Sequence, residues 1–557
     1  RDSRIESTRR IVVSVPDYES GNAEWVMSSR EWYLSSGSIW FACLFLTATV
    51  TIADPDLWGH TLYGLRALEQ HVLVERTDPF CYTEPGTSWI NHEWFSELSF
   101  GWLWSQIGNS GLWLWRNFWL CMILIPTWIA LGRSRASLSA AVLLLVYGAF
   151  CLAQFVVFVR PQLVTFGCFA WTLLLLREYV DHPQAKGVWY LPVVMLFWSN
   201  SHGGFLAGVG IEAVVVLWVG WGCVQGRYQR SEFYRLLVAV TASWMVTLIN
   251  PYGIHLHQML WDHLITTQIV REWQPLWQAR QALLYYIPFL LIALAIFRSR
   301  KWEWIDLLLI AVVAWQAVSH IRHVALLAIA VMILLPRPIT DAIRNLFPVI
   351  NQQWSGETRL GLRSVLITSM TLAVLGLGAH TVIHLQEEGV PPWQIGVETQ
   401  SRAPGMPVAV MQVMQKEHLA GNILTDYGWA QYVIWQTFPA SRVAFDGRYR
   451  TVYSAQLEEE FVAFQKLNQN SSGSNPLLDQ YPTEIILLPK AQQTNDYLKN
   501  RSDWFLIYED EQATLWVKDI PRFQKILERS RQTAIPKPEI PKWLLFPADP
   551  PETGKQP

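Results

Sequence analysis

Charge is scarce in this chain. Asp, Glu, Lys and Arg supply 16% of its 557 residues, against about a quarter in a soluble globular protein. A net charge of −2 argues against a nucleic acid as partner. Cysteine is sparse too. Of six, Cys43, Cys121, Cys151, Cys168 and Cys223 fall in apolar runs and only Cys81 in a polar loop, so neither a disulfide framework nor zinc-finger spacing is present. No cleavable signal peptide is evident: the first apolar run starts near Gly37, behind a polar head carrying Arg1, Arg4, Arg9, Arg10 and Arg30. That run reads as a signal anchor.

What is abundant is apolar and aromatic. Hydrophobic residues make up 51% of the chain and gather in long runs, which predicts a polytopic membrane protein. The 31 Trp suit membrane interfaces; stacking on sugar rings is the second use of such residues. Spans are expected near 37–53, 111–131, 138–158, 162–178, 188–201, 205–224, 234–250, 283–298, 304–318, 322–336 and 363–384. With residues 1–36 in the cytoplasm, each connection on that side carries at least two Lys or Arg: Arg133 and Arg135; Arg177 and Lys186; Arg227, Arg230 and Arg235; Arg298, Arg300 and Lys301; Arg337 and Arg344. That asymmetry is what the positive-inside rule counts. The stretch Glu93–Ile107 then reads as an amphipathic helix on the membrane surface, because a further crossing would invert every later loop.

The fold class expected is a membrane all-α bundle of about eleven spans with a C-terminal extracytoplasmic α/β domain. Residues 1–36 form a cytoplasmic segment and 37–384 the transmembrane domain, with a large first outer loop at 54–110. After residue 384 the composition is no longer membrane-like. Stretches at 423–428, 442–448 and 484–489, then FLIYED and ATLWVKD, read as strands, with helical patterns between them, and that alternation places an α/β domain at 385–535. Residues 536–557 read as a Pro-rich extended tail.

The first outer loop holds the densest chemistry, beginning DPDLWGH and ending WINHEWFSE. Two neighbouring carboxylates, Asp54 and Asp56, raise one another's pKa, orient an acceptor or hold a metal; the alternative is a helix N-cap. His92 and Glu93 suit acid/base work or metal ligation, with an N-cap at Asn91 as the alternative. Arg160 stands at a span end, where it binds phosphate or reaches to headgroups. His202 lies between two short spans, and Gly203-Gly204 beside it admits a ligand or lets helices pack. His320, Arg322 and His323 lie in a second short pair, so both sites sink toward the bilayer interior, where charge is costly unless it lines a wet cavity or is paired. Asp446-Gly447-Arg448 reads as a turn with a surface ion pair.

This order of features resembles the GT-C superfamily of polytopic glycosyltransferases, including the aminoarabinose transferases of lipid A and the protein O-mannosyltransferases. The matching residues are Asp54 and Asp56 just past the first span and Glu93 further along the loop, without the Lys-Pro-Pro those families show. The segments DPDLWGH, TDPFCYT, WINHEW, RPQL, NSHGGF and NPYG are similar, as a set, to those of a group of bacterial membrane proteins. The GT-C resemblance implies transfer of a sugar from a polyprenyl-phosphate donor in the membrane lipid to an extracytoplasmic acceptor. It assigns Asp54, Asp56 and Glu93 as catalytic; the outer-side residues His60, His92, Arg160, His202, His320, Arg322 and His323 are then the substrate-binding candidates. A divalent metal ion on Asp54, Asp56, His60 or His92 is the candidate cofactor, and the bacterial plasma membrane the expected location. The alternative is a non-catalytic membrane subunit that docks a protein partner through 385–535. A transporter fits less well, since inverted repeats are not visible.

Overall fold

The computed structural model describes residues 51–134, 136–265, 271–278, 283–346, 389–391, 393–400, 405–471 and 474–549. The cytoplasmic segment 1–36, the span at 363–384 and most of the span at 37–53 lie outside them. The first loop contributes two helices, α1 (Leu57–Glu69) and α2 (Trp94–Ile107), and the bundle follows: α3 (Asn109–Arg133), α4 (Leu138–Val156), α5 (Gln162–Asp181), α6 (Leu191–Ser199), α7 (Phe205–Val224), α8 (Arg230–Val246), α9 (Ile254–Ile265), α10 (Leu283–Arg298), α11 (Trp304–Ser319), α12 (Val324–Leu334) and α13 (Pro336–Leu346).

Among the described residues, α3, α4, α5 and α7 are long and apolar enough to cross a membrane. The stretch Ile321–Leu334, which includes α12, joins α13 at a bend of 72° and makes a fifth crossing if that pair counts as one; α10 and α11 are apolar but shorter. The chain is a multi-pass membrane protein. The short helices are short for a chemical reason. The polar stretches Asn200–Gly204 and His320–His323 break the apolar runs, leaving α6 with only nine residues. Every residue of α12 is buried, and it packs on α3, α4, α5 and α11: a helix apolar all round belongs at the centre.

The expected helix at Glu93–Ile107 exists as α2, but its buried and exposed sides do not sort by polarity. Ser96, Glu97, Phe100 and Gly101 are buried, whereas Phe95, Trp102, Ser105, Gln106 and Ile107 are exposed. The buried side is set by α1, which packs there closely, Gly101 lying against the Gly64 backbone.

Beyond the bundle come β1 (Gly396–Glu398), α14 (Val408–Lys416), β2 (Asn422–Thr425), α15 (Tyr427–Thr437), β3 (Arg442–Val443), α16 (Ala455–Gln465), α17 (Pro476–Asp479), β4 (Ile485–Pro489), α18 (Thr494–Lys499), β5 (Trp504–Glu509), β6 (Ala513–Lys518), α19 (Gln524–Gln532) and β7 (Trp543–Leu545). Five strands form a sheet in the order β3-β2-β4-β6-β5. β2 runs parallel to β3 and β4, and β6 antiparallel to β4 and β5. The described part of the Pro-rich end is not a loose tail. β7 pairs antiparallel with β1, Phe546 packs against Trp58, Trp104 and Trp435, and Trp58 Nε1 donates to the Pro547 carbonyl at 2.7 Å. Extended backbone there finds donors and aromatic faces on the first-loop helices, so the C-terminal unit is fastened to the end of the bundle that carries the polar motifs.

Candidate active site

Three distant segments meet just ahead of the carboxylates. Ile52 bridges to Phe158 and to Gly396, and Ala53 N–H donates to the Gly396 carbonyl at 2.8 Å. That junction fixes where Asp54 begins and puts Arg160, two residues past Phe158, beside it. Arg160 Nε donates to Asp54 Oδ2 at 2.5 Å, and its Nη1 donates to Glu272 Oε1 at 2.7 Å. Asp54 Oδ1 accepts from the Asp56 amide at 3.1 Å, and Asp54 is fully buried. Its carboxylate is therefore committed to a brace.

Asp56 is the freer of the pair. It occupies the N-cap position of α1 yet its side chain makes no cap hydrogen bond, so the capping alternative does not hold for it. Burial, together with the Asp54 charge, raises its carboxyl to about 7, against the opposing pull of His60 and Arg160.

The second wall comes from the NHEW stretch, held in place by two other motifs. Tyr252 of NPYG accepts the Asn91 amide at 3.0 Å. Asn200 of NSHGGF accepts Trp94 Nε1–H at 3.2 Å, and the Ser201 carbonyl accepts from Ser96 Oγ at 2.8 Å. Asn91 itself does not cap α2; its Nδ2 donates to Glu97 Oε2 and its Oδ1 accepts from the Glu93 amide. His60 Nδ1 meets Glu97 Oε1 at 2.9 Å. Burial opposes protonation of His60, but Glu97 and the nearby charges of Glu93 and Asp56 outweigh it and lift the imidazole to about 9. Glu93 faces three histidines, with carboxylate oxygens 3.6 Å from His202 Nε2, 3.8 Å from His92 Nε2 and 3.9 Å from His60 Nδ1. Burial raises its carboxyl to about 7.

The third wall is the turn between α11 and α12. The Arg322 guanidinium lies over the Trp273 ring at 4.5 Å, and Trp273 also packs edge-on against His320 and His323. No carboxylate or hydrogen-bond acceptor among the described residues contacts Arg322. It stands close enough to Glu93 and Glu272 for their charges to act on it. The Nδ1 atoms of His320 and His323 are buried with no hydrogen-bond partner among the described residues. An unpaired guanidinium in a largely desolvated cleft is a site for an anion.

The C-terminal unit supplies a fourth wall. Asp446-Gly447-Arg448 carries no surface ion pair: Asp446 is fully buried and Arg448 nearly so. Arg448 bonds Asp446 at 2.6 Å and, from the first loop, Asp78 at 2.8 Å, among the rings of Tyr63, Phe80, Trp89 and Tyr453. The expectation failed because strand-and-turn pattern says nothing of what packs on the turn. Here the loop after α1 covers it, with the Cys81–Val443 bridge alongside. The result is that Gly447 lies against the Asp56 carboxylate, where a Cβ would overlap Asp56 Oδ1 and sit 3.1 Å from Gln431 Nε2. Tyr427 and Tyr449 lie near enough for the Asp56 charge to act on both phenols.

All ten residues singled out from the sequence thus fall at one end of the bundle. Asp54, Arg160 and Glu272 form one string, and Glu93 gathers the histidines 60, 92 and 202. Arg322 sits with His320 and His323. Thr165 and Gln431 were not singled out, and Gly447 was read only as part of a turn; a lone threonine in an apolar span and residues nearly four hundred positions from Asp56 leave no local signal of their place here. For a divalent cation, only His60, Glu93 and Glu97 among the described residues bring donor atoms within 4.8 Å of one another as a group of three. That set fits poorly as it stands, since Glu97 already accepts from His60 and Asn91. Of the candidates proposed from sequence, Asp54 is also committed, to Arg160.

No protein-family model matches the sequence, and no curated protein matches it. Solved structures do resemble it. The oligosaccharyltransferase of Archaeoglobus fulgidus, in the apo form, superposes with a TM-score of 0.53 at 9% identity over 82% of this chain and 70% of that one. ArnT from Cupriavidus metallidurans gives TM-scores of 0.49 in the apo state and 0.46 bound to undecaprenyl phosphate, each at 12% identity over 88% of this chain and 98% of that one. The chain shares its overall fold with that oligosaccharyltransferase.

Proposed function

We propose, with a GT-C-like fold as the premise, that this protein is a membrane glycosyltransferase moving a sugar from a polyprenyl-phosphate carrier to an acceptor hydroxyl. One observation carries the reading. The same region holds a guanidinium with no ion-pair contact among the described residues, Arg322, and a carboxyl, Asp56, poised near neutral pH. A departing phosphate requires the first and an attacking hydroxyl the second.

In this mechanism Asp56 takes the proton of the acceptor hydroxyl as its oxygen attacks the anomeric carbon. The bond from that carbon to the phosphate oxygen breaks, and the lipid phosphate leaves toward Arg322, with Arg160 at the margin. Preorganised charge in a low-dielectric cleft is how such a leaving group is stabilised. The single displacement inverts the anomeric centre. Asp54 is a positioning residue: it fixes the Asp56 amide and holds Arg160 in place. Glu93 and the histidines at 60 and 92 line the side where sugar hydroxyls lie, and His320 and His323 back the phosphate wall through Trp273.

The opposite end of the bundle carries Arg133, Arg177, Arg227, Arg230 and Arg235, part of them in ion pairs such as Arg133–Glu178 and Arg177–Asp306. The positive-inside rule supports reading that end as cytoplasmic, and the proposal accordingly has the cleft and the C-terminal unit on the outer side, in a bacterial plasma membrane. The test is discharge of radiolabelled polyprenyl-phosphate sugar by membranes containing the full chain. Transfer that disappears in Asp56→Asn supports the assignment. Undiminished transfer in that variant removes Asp56, and no transfer from a protein that co-purifies stoichiometrically with a partner supports a non-catalytic subunit instead.

A further inference from the structure

The imidazole of His202 carries its proton on a determined nitrogen. Nδ1 accepts the backbone N–H of Gly204 at 2.9 Å, and a backbone N–H has no alternative to donating. Nδ1 therefore presents a lone pair. The Thr165 hydroxyl lies 2.8 Å from the same nitrogen and already accepts Trp198 Nε1–H at 2.9 Å, which leaves its own proton for Nδ1. The ring's remaining proton is then on Nε2, set by what the other nitrogen bonds.

That Nε2–H has no acceptor among the described residues. Glu93 Oε1 is 3.6 Å away, beyond a hydrogen bond, and the residue is only 7% exposed, so the N–H points into the cleft. Charging the ring would require a proton on Nδ1 against Gly204; burial and the Arg322 charge hold its basicity well below that of an ordinary histidine. A metal at Nε2 would need the lone pair that nitrogen lacks. The arrangement also accounts for the glycine pair. A Cβ at Gly204 would overlap Thr165 Oγ1, and one at Gly203 would come within 2.7 Å of Leu260 and 3.2 Å of His92.

We infer that His202 is a permanent neutral Nε2–H donor that binds a phosphate oxygen beside Arg322, and is neither a metal ligand nor a proton carrier. The inference rests on reading the cleft as a phosphate site. Thr165, Trp198 and Gly204 are its positioning residues.

Two measurements on the full chain in detergent test it. The first is nitrogen NMR of histidine-labelled protein, with the His202 resonances assigned by their loss in His202→Gln. Nδ1 is expected at the unprotonated position and Nε2 at the protonated one. The second is binding of undecaprenyl phosphate and, separately, of inorganic phosphate. His202→Gln keeps an N–H donor and should bind within about threefold of the parent, whereas His202→Ala should lose about tenfold, the scale of one hydrogen bond to a charged group. Dependence on residue 202 in both arms supports recognition of the shared phosphate; dependence in the lipid arm alone supports it for the carrier. The opposite tautomer, or a Gln variant as weak as Ala, overturns the inference even if the parent binds the lipid phosphate. The expected tautomer with no binding of either phosphate overturns the phosphate-site reading itself, and with it the role of His202 as a phosphate donor.

Discussion

Arg160 donates to Asp54 at 2.5 Å from the far side of α3 and α4 in sequence, and the same carboxylate receives the Asp56 amide. One ion pair, buried on its Asp54 side and partly exposed on its Arg160 side, therefore ties the start of α5 to the backbone of the proposed base. Removing one partner of a buried pair costs about 3–5 kcal/mol, because the other charge is left uncompensated. Arg160→Ala should lower the thermal unfolding midpoint and transfer together. Combining it with Asp54→Asn should recover part of the stability but not the transfer. Equal, additive losses of stability in the double variant would show that the two do not act as a pair.

The pH dependence of transfer follows from Asp56. Its carboxyl sits at about 7 through burial and the Asp54 charge, and a general base acts in the deprotonated form. The rate should rise with pH through about 7 and level above it. Asp56→Asn should cost on the order of 10²–10⁴-fold, the usual contribution of general base catalysis. An activity that falls as pH rises through 7 would mean that the protonated carboxyl is the working form.

Gly447 is the point where the C-terminal unit touches the proposed base. A methyl group there overlaps the Asp56 carboxylate. Gly447→Ala should abolish most transfer while the unfolding midpoint, read by thermal shift, moves little. An active Gly447→Ala protein would place Asp56 outside the working geometry.

Arg448 holds that contact in place through Asp78 and Asp446. Arg448→Met leaves two carboxylates facing each other in a buried site, which by the cost of breaking a buried pair destabilises by about 3–5 kcal/mol or more. Limited proteolysis should then cut within the first loop around Asp78 or within the C-terminal unit around Arg448. A stable, protease-resistant variant would contradict the bridging role.

Much of this arrangement was legible in the sequence, for identifiable reasons. The strands at Ile423, Ile485 and Leu515 announce themselves as apolar β-branched and leucine runs, and α1 and α2 follow their helical patterns from Leu57 and Trp94. The short segments around His202 and Arg322 were recognisable because two helices and a turn had to share too few residues. The buried side of α2 was not, since it depends on Gly64 and Gly101 letting α1 approach. Nor was the Gly447–Asp56 contact, which joins positions far apart in the chain and leaves no trace in either neighbourhood. The division of labour between Asp54 and Asp56 also waited for geometry: two carboxylates on either side of Pro55 look equivalent until Arg160 is seen to take one.

The most direct measurement is a density map of the full chain with undecaprenyl phosphate. The account predicts the phosphate within hydrogen-bonding distance of Arg322 and His202 Nε2, with the Asp56 carboxylate facing open space beside it. A phosphate seated at the arginine-rich opposite end, or a cleft in which Arg322 turns to pair with Glu93 or Glu272 and admits no lipid headgroup, would contradict it.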